Sequence, residues 1–188
     1  QRPELSLNGD KTRAWAKLRV QKPIFQVAKM LQDIDALFPG HIAELCRRTD
    51  AALQAGACDG LVAYSGRPGY AFQDDRPYPF VANPHFKHWA PVTDAPDCFV
   101  AYAPGSRPRL VFHQPADYWH RPPQLPAGDW QREFEIHVVR EVGAARELLG
   151  LKRGRMAFIG EWQPEFDGWG FGAVNPPAVL ASLHYARA

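Results

Sequence analysis

The chain has 188 residues, 46% of them hydrophobic, enough for one α/β domain of ordinary size, alone or with an extra arm, to bury most of its apolar surface. The net charge of +2 hides an uneven spread: residues 1–30 carry seven Lys/Arg against two acids, and the remaining 158 carry fifteen against eighteen. With no DNA- or RNA-binding motif, that N-terminal excess reads as a solvated face, and no nucleic-acid partner is expected. Cys46, Cys58 and Cys98 lack C-x-x-C spacing, so they do not read as a disulfide framework or a zinc site; buried free thiols in a reducing cytoplasm are expected. No run of eighteen apolar residues occurs and the N-terminus lacks a signal peptide's layout, so no membrane partner is expected.

In chain order, residues 1–10 are polar. Helical patterns run over 12–20 and 24–38, separated by Pro23, which disfavours one continuous helix. The clearest helix is 40–56: Ile42, Leu45, Thr49, Ala52 and Leu53 share a stripe, Arg47, Arg48 and Asp50 lie opposite, and Gly56 supplies the stop. GLVAY (60–64) is a buried strand. DCFVAYA (97–103) and RLVFH (109–113), joined by PGSRP, form a hairpin. FEIHVV (134–139) alternates as a strand, AARELLG (144–150) is a short helix, and RMAFIG (155–160) is another buried strand. RPPQLPAGDW (121–130) reads as a loop. Asn175-Pro176-Pro177 then reads as an N-cap and a proline-started helix, with Val179, Leu180, Leu183 and Ala186 inward. The fold class expected is α/β, a mixed β-sheet flanked by helices, with an N-terminal helical arm.

The richest stretch chemically is QDDRPYPFVANPHFKHW, residues 73–89. Asp74 and Asp75 suit acid/base work, hard-metal ligation or a turn before Pro77; on extended backbone adjacent side chains diverge, so one acid can serve a site while the other caps a turn. His85 and His88 are three apart, with Pro84 favouring a helical first turn, and with the aspartates they form a weak metal-ligand pattern. Asp117 and His120 in DYWH offer a dyad, yet no G-x-S-x-G elbow accompanies them; Ser65-Gly66 lacks its preceding glycine. No G-x-G-x-x-G or G-x-x-x-x-G-K-[ST] phosphate loop is present. Tryptophans 89, 119, 130, 162 and 169 read as core or interface anchors. Residue chemistry alone therefore yields no complete catalytic constellation.

The strings HIAELCRRTDAAL, DGLVAYSG, DDRPYPFVANPHFKHWAPV, PADYWH, AFIGE and LHYAR carry a resemblance. Together they are similar to the N-terminal domain of bacterial Xaa-Pro dipeptidases (prolidases), of the type that includes the organophosphorus acid anhydrolases, in the creatinase/aminopeptidase P superfamily. The similarity runs from about Leu37 onward, and its most specific part is D-D-x-x-Y-P-F-x-x-N-P-x-F-K-x-W. It implies a domain over 37–188 preceded by a partly helical extension over 1–36. It also implies a C-terminal "pita-bread" catalytic domain that this chain does not contain, holding two Mn²⁺ ions through two Asp, one His and two Glu. On this resemblance the parent is a cytoplasmic, homodimeric metallopeptidase that hydrolyses Xaa-Pro dipeptides. The present chain is expected to be inactive alone and to bind no metal. Its partners would be its own catalytic domain, the second subunit and the dipeptide. The resemblance places Asp75 at the partner subunit's substrate pocket, where a carboxylate attracts a dipeptide's α-amino group, and matches Asp74, Tyr78 and Trp89 to neighbouring positions that mainly hold the loop in shape. The competing expectation is a free-standing binding or scaffold module without a catalytic half.

Overall fold

A computed structural model describes residues 21–116 and 122–183, with side chains from residue 36 onward apart from Arg153. The helix expected over 12–20, the dyad residues Asp117 and His120, Trp119 and Ala186 lie outside these residues. The chain divides into two compact units between Phe38 and Pro39.

Helix α1 spans Gln21–Ala55. The stretches expected as two helices over 24–38 and 40–56 thus both fall within α1, where Pro39 removes one backbone donor. Beyond Pro39 the expected stripe is the buried one: Ile42, Leu45, Thr49, Ala52 and Leu53. Asp50 departs from its expected place on the solvent side, because its carboxylate accepts the Tyr102 hydroxyl at 2.8 Å. The helix stop also differs in detail. The Cys58 and Ala57 amides donate to the Leu53 and Gln54 carbonyls at 2.9 and 3.2 Å, a Schellman closure, and Ala57 takes the left-handed conformation at φ 50°. Gly56 is needed for space instead: a Cβ there would collide with the Val179 side chain.

The strands are β1 (Gly60–Tyr64), β2 (Phe99–Tyr102), β3 (Arg109–His113), β4 (Glu135–Val139), β5 (Met156–Ile159) and β6 (Ala173–Val174), in the order β4-β3-β2-β1-β5-β6. The β1–β2 and β2–β3 pairs are antiparallel, while β1–β5, β3–β4 and β5–β6 are parallel. The sheet is mixed, as expected, and all five residues of GLVAY are buried. On one face Val62, Tyr64, Phe99, Ala101, Val111, Met156 and Phe158 pack with Ala145, Leu149, Phe166 and Trp169 from the connections. On the other face lie helix α2 (Pro84–Trp89) and the buried stripe of α1, joined to the sheet by the Trp89–Tyr102 ring contact at 5.2 Å and the Asp50–Tyr102 bond.

The short helix expected over 144–150 is a 3₁₀ helix shifted two residues earlier, Val142–Leu148, a tighter coil suited to a short connection. Helix α3 spans Pro177–Leu183, with Val179 buried and Leu180 and Leu183 half-buried. Asn175 does not simply cap it. Its carboxamide grips the backbone of Gly160 on both sides, accepting the amide at 2.9 Å and donating to the carbonyl at 2.8 Å, which fastens the chain after β6 to the end of β5.

Candidate functional site

Strand β1 ends at Tyr64, and the next residues leave the sheet as an excursion that returns at Asn83. Its base is strapped down: the Ser65 amide donates to the Cys98 carbonyl at 2.8 Å, the Asn83 amide to the Ser65 carbonyl at 2.8 Å, and the Asp97 amide to the Gly66 carbonyl at 3.0 Å. The Ser65 hydroxyl donates to the Ala95 carbonyl at 3.1 Å and accepts the Cys98 amide at 2.9 Å, so this serine is a buried staple and no nucleophile.

Further out, the Tyr78 amide donates to the Gly69 carbonyl at 2.8 Å and the Ala71 amide to the Arg76 carbonyl at 3.1 Å, making a narrow two-legged ribbon. Its tip turns at Ala71–Asp74, closed by the Asp74 amide on the Ala71 carbonyl at 3.1 Å, with Gln73 left-handed at φ 55°. The adjacent acids differ in their contacts. Asp74 caps the turn, its carboxylate accepting the Arg76 amide at 3.2 Å. The Asp75 carboxylate, exposed beside it, has no hydrogen-bond or ion-pair partner among the described residues. Around the ribbon stand exposed apolar side chains: Tyr70 62%, Phe72 89%, Tyr78 60% and Val81 77% accessible.

The rest of the 73–89 stretch works inward. Asn83 caps α2 by accepting the His85 amide at 2.9 Å, and Pro84 opens that helix as expected. Phe86 and Trp89 are buried; Trp89 packs on Tyr102 and offers no face to a ligand. Half-buried His88 is harder to protonate than usual, through burial first and the neighbouring His41, Arg48 and Lys87 second. The ring of His41 meets the His88 carbonyl at 2.7 Å. No group of three or more His, Cys, Asp or Glu side chains converges on a common centre among the described residues, so Asp74, Asp75, His85 and His88 are not drawn into a metal cage. Cys58 and Cys98 are buried free thiols and Cys46 is a half-buried one; burial pushes the Cys98 thiol up to about 12.

Sequence reasoning missed one cluster altogether. Arg67 lies at the start of the excursion. Its guanidinium binds the Asp97 carboxylate through Nε at 3.0 and 3.1 Å and Nη2 at 2.9 Å, and the Glu165 carboxylate at 2.8 and 3.3 Å. The Tyr64 hydroxyl donates to the same Asp97. Burial and then the Asp97 bond raise the Tyr64 phenol's pKa, so it stays protonated. Burial works against the Arg67 charge, but the Glu165 and Asp97 bonds outweigh it and hold the proton more tightly than in water. Glu165 is 98 residues away along the chain, so no local spacing could have revealed the group.

A family model described as "Xaa-Pro dipeptidase, N-terminal domain" matches residues 36–185. The chain belongs to this family. It is 40% identical over 158 residues to a Xaa-Pro dipeptidase of Pseudoalteromonas atlantica, covering 84% of this chain and 36% of that relative. The corresponding values are 41%, 84% and 36% for a Xaa-Pro dipeptidase of Shewanella loihica, and 42%, 83% and 35% for one of Stenotrophomonas maltophilia. The Xaa-Pro dipeptidase N-terminal domain thus spans little more than a third of the relatives it matches. A solved structure from Bacillus anthracis, described as an aminopeptidase P, aligns over 69% of this chain and 31% of its own at 11% identity and a TM-score of 0.44, a likeness too slight to add to that assignment. Among the described residues, no helix is long and apolar enough to cross a membrane.

Proposed function

We propose that this domain serves a Mn-dependent, homodimeric Xaa-Pro dipeptidase as its substrate-gating part, inactive by itself, with hydrolysis carried out in a separate catalytic domain. The observation that carries the proposal is the Asp75 carboxylate, held at the tip of a strapped ribbon yet unpartnered among the described residues, in a family named for dipeptide hydrolysis. In this reading the ribbon enters the pocket mouth of the partner subunit, and the exposed Tyr70, Phe72 and Tyr78 are covered there. Asp75 faces the free α-amino group of the dipeptide, while Asp74 keeps the turn in shape and Trp89 supports α2 from within the core. In this reading two manganese ions sit in the catalytic domain, where they would polarise the scissile carbonyl and supply hydroxide.

A carboxylate 4 Å from an ammonium is worth about 1 kcal/mol in open water and about 4 kcal/mol at a partly sequestered surface. Desolvation of the two ions offsets much of that attraction; a net of about 1.4 kcal/mol, or about tenfold in KM, is then lost when the carboxylate is removed, while the bond-breaking groups stay in place. The test is Asp75→Ala in the full-length polypeptide with Leu-Pro and Mn²⁺: KM rises, kcat and bound manganese hold. An unchanged KM refutes the pocket role. Turnover of Leu-Pro by the present chain alone would refute its inactivity.

A further inference from the structure

We infer that Arg67 is a positioning residue for Asp75, setting the angle at which the ribbon is presented and thereby the affinity for the substrate's amino group; this rests on the pocket role proposed for Asp75. Three observations carry it. Arg67 lies between the strapped base of the excursion and the first rung of the ribbon, the Tyr78–Gly69 hydrogen bond. It joins two otherwise unrelated segments there. Asp97 leads into β2, and Glu165 sits in the 3₁₀ turn Pro164–Phe166 that follows β5. Both anchors stand on packed backbone: Asp97 is buried and bonded by Tyr64, and Phe166, next to the exposed Glu165, is wedged among Tyr64, Phe99, Phe158 and Trp169.

One side of the ribbon's base is open. A groove of about 660 Å³ opens beside it, lined by Arg67, Gly69, Pro79, Val81, Gly160 and Glu161. With open space on that side, the two-carboxylate clamp joins the backbone bonds at the base in setting the direction in which the legs leave the domain. A planar guanidinium can meet both carboxylates at once, with two donors on one and two on the other, whereas a lysine ammonium acts as a point charge. The angle matters at the tip, because a small tilt at residue 67 is magnified over the length of the ribbon, and misplacement by about 1 Å is enough to lose a positioned contact.

The experiment is steady-state hydrolysis of Leu-Pro by the full-length, manganese-loaded polypeptide carrying Arg67→Ala, Arg67→Lys, Glu165→Ala, Asp75→Ala or Arg67→Ala with Asp75→Ala. The expected result is a KM raised about tenfold by Arg67→Ala, nearly as much by Arg67→Lys, and about threefold by Glu165→Ala, with kcat within about twofold and bound manganese unchanged. The deciding readout is the double variant. If Arg67 acts through Asp75, adding Arg67→Ala to Asp75→Ala changes KM by less than about twofold, whereas a general structural effect would multiply the two losses. Should Arg67→Ala fold poorly because Asp97 is left unpaired, Glu165→Ala alone and combined with Asp75→Ala makes the same comparison with the inner pair intact. Multiplying effects, or an unchanged KM in the Arg67 and Glu165 variants while Asp75→Ala raises it, overturns the positioning role and leaves the pocket role standing. An unchanged KM in Asp75→Ala overturns both.

Discussion

Two aromatic-rich regions of the domain put the same residue types to opposite uses. Under the sheet, Tyr64, Phe99, Phe158, Phe166 and Trp169 interlock with ring centroids 4.9–6.1 Å apart. On the ribbon, Tyr70, Phe72 and Tyr78 stand in solvent, although the backbone beneath them is hydrogen-bonded rung by rung. The difference lies in what each segment is tied to. Strand residues are carried into the core by alternation and register, whereas the ribbon is tied to itself and to the domain only at its base. Buried rings stabilise this fold; exposed rings on an ordered backbone are available to something else.

Truncating one ring from each region should have very unequal effects. Phe158→Ala removes a fully buried ring contacting Tyr64, Trp162, Phe166 and Phe171 and is expected to cost about 3–5 kcal/mol in urea unfolding. Phe72→Ala is expected to stay within about 0.5 kcal/mol of the parent chain, as for surface positions in general. A large loss from Phe72→Ala would mean that the ribbon packs on its own domain after all.

A smaller effect probes how tightly the buried region is built. Gly56→Ala drives a methyl group into Val179 and is expected to cost about 1–3 kcal/mol, the usual range for overpacking. In the Val179→Ala background the added penalty should largely vanish. Equal penalties in both backgrounds would show that backbone strain, and not the meeting of α1 with α3, decides the cost.

The smallest effect concerns the exposed face of α1. Arg47 and then Arg48 hydrogen-bond the Glu44 carboxylate and hold its pKa down to about 2, from an ordinary 4.5. A depressed carboxyl contributes its stability above the unfolded value and loses it as pH falls through the folded one, so this contribution fades between about 4.5 and 2. Comparison of Glu44→Gln with the parent chain should show a slight destabilisation at pH 6 that shrinks towards pH 2 and at high salt, because the group is exposed and screened. A difference that grows on acidification would reverse the assignment.

Much of the fold was legible. The stripe Ile42–Leu53, the hairpin around PGSRP and the uniformly apolar runs GLVAY and MAFI announce their burial because local pattern and tertiary environment agree. Elsewhere the chain used a different residue for an expected job. The left-handed helix stop fell to Ala57 because Gly56 was needed for the approach of Val179, and Asn175 served a distant backbone more than its own helix. Within the candidate site, Asp74 and Asp75 were visible as acids, but only the backbone shows that one is spent on a turn and the other is not. The Tyr64–Arg67–Asp97–Glu165 group was invisible because its members meet only through the sheet topology, which brings the ends of β1 and β5 beside the start of β2.

In the proposed role, Asp75 meets the free amino group of a two-residue substrate. The most direct measurement is the ratio of kcat/KM for Leu-Pro to that for Gly-Leu-Pro, in which the amino group is displaced by one residue, in the full-length polypeptide with and without Asp75→Ala. The parent enzyme should favour the dipeptide, with a ratio that falls by about tenfold in the variant. An unchanged ratio would contradict that role.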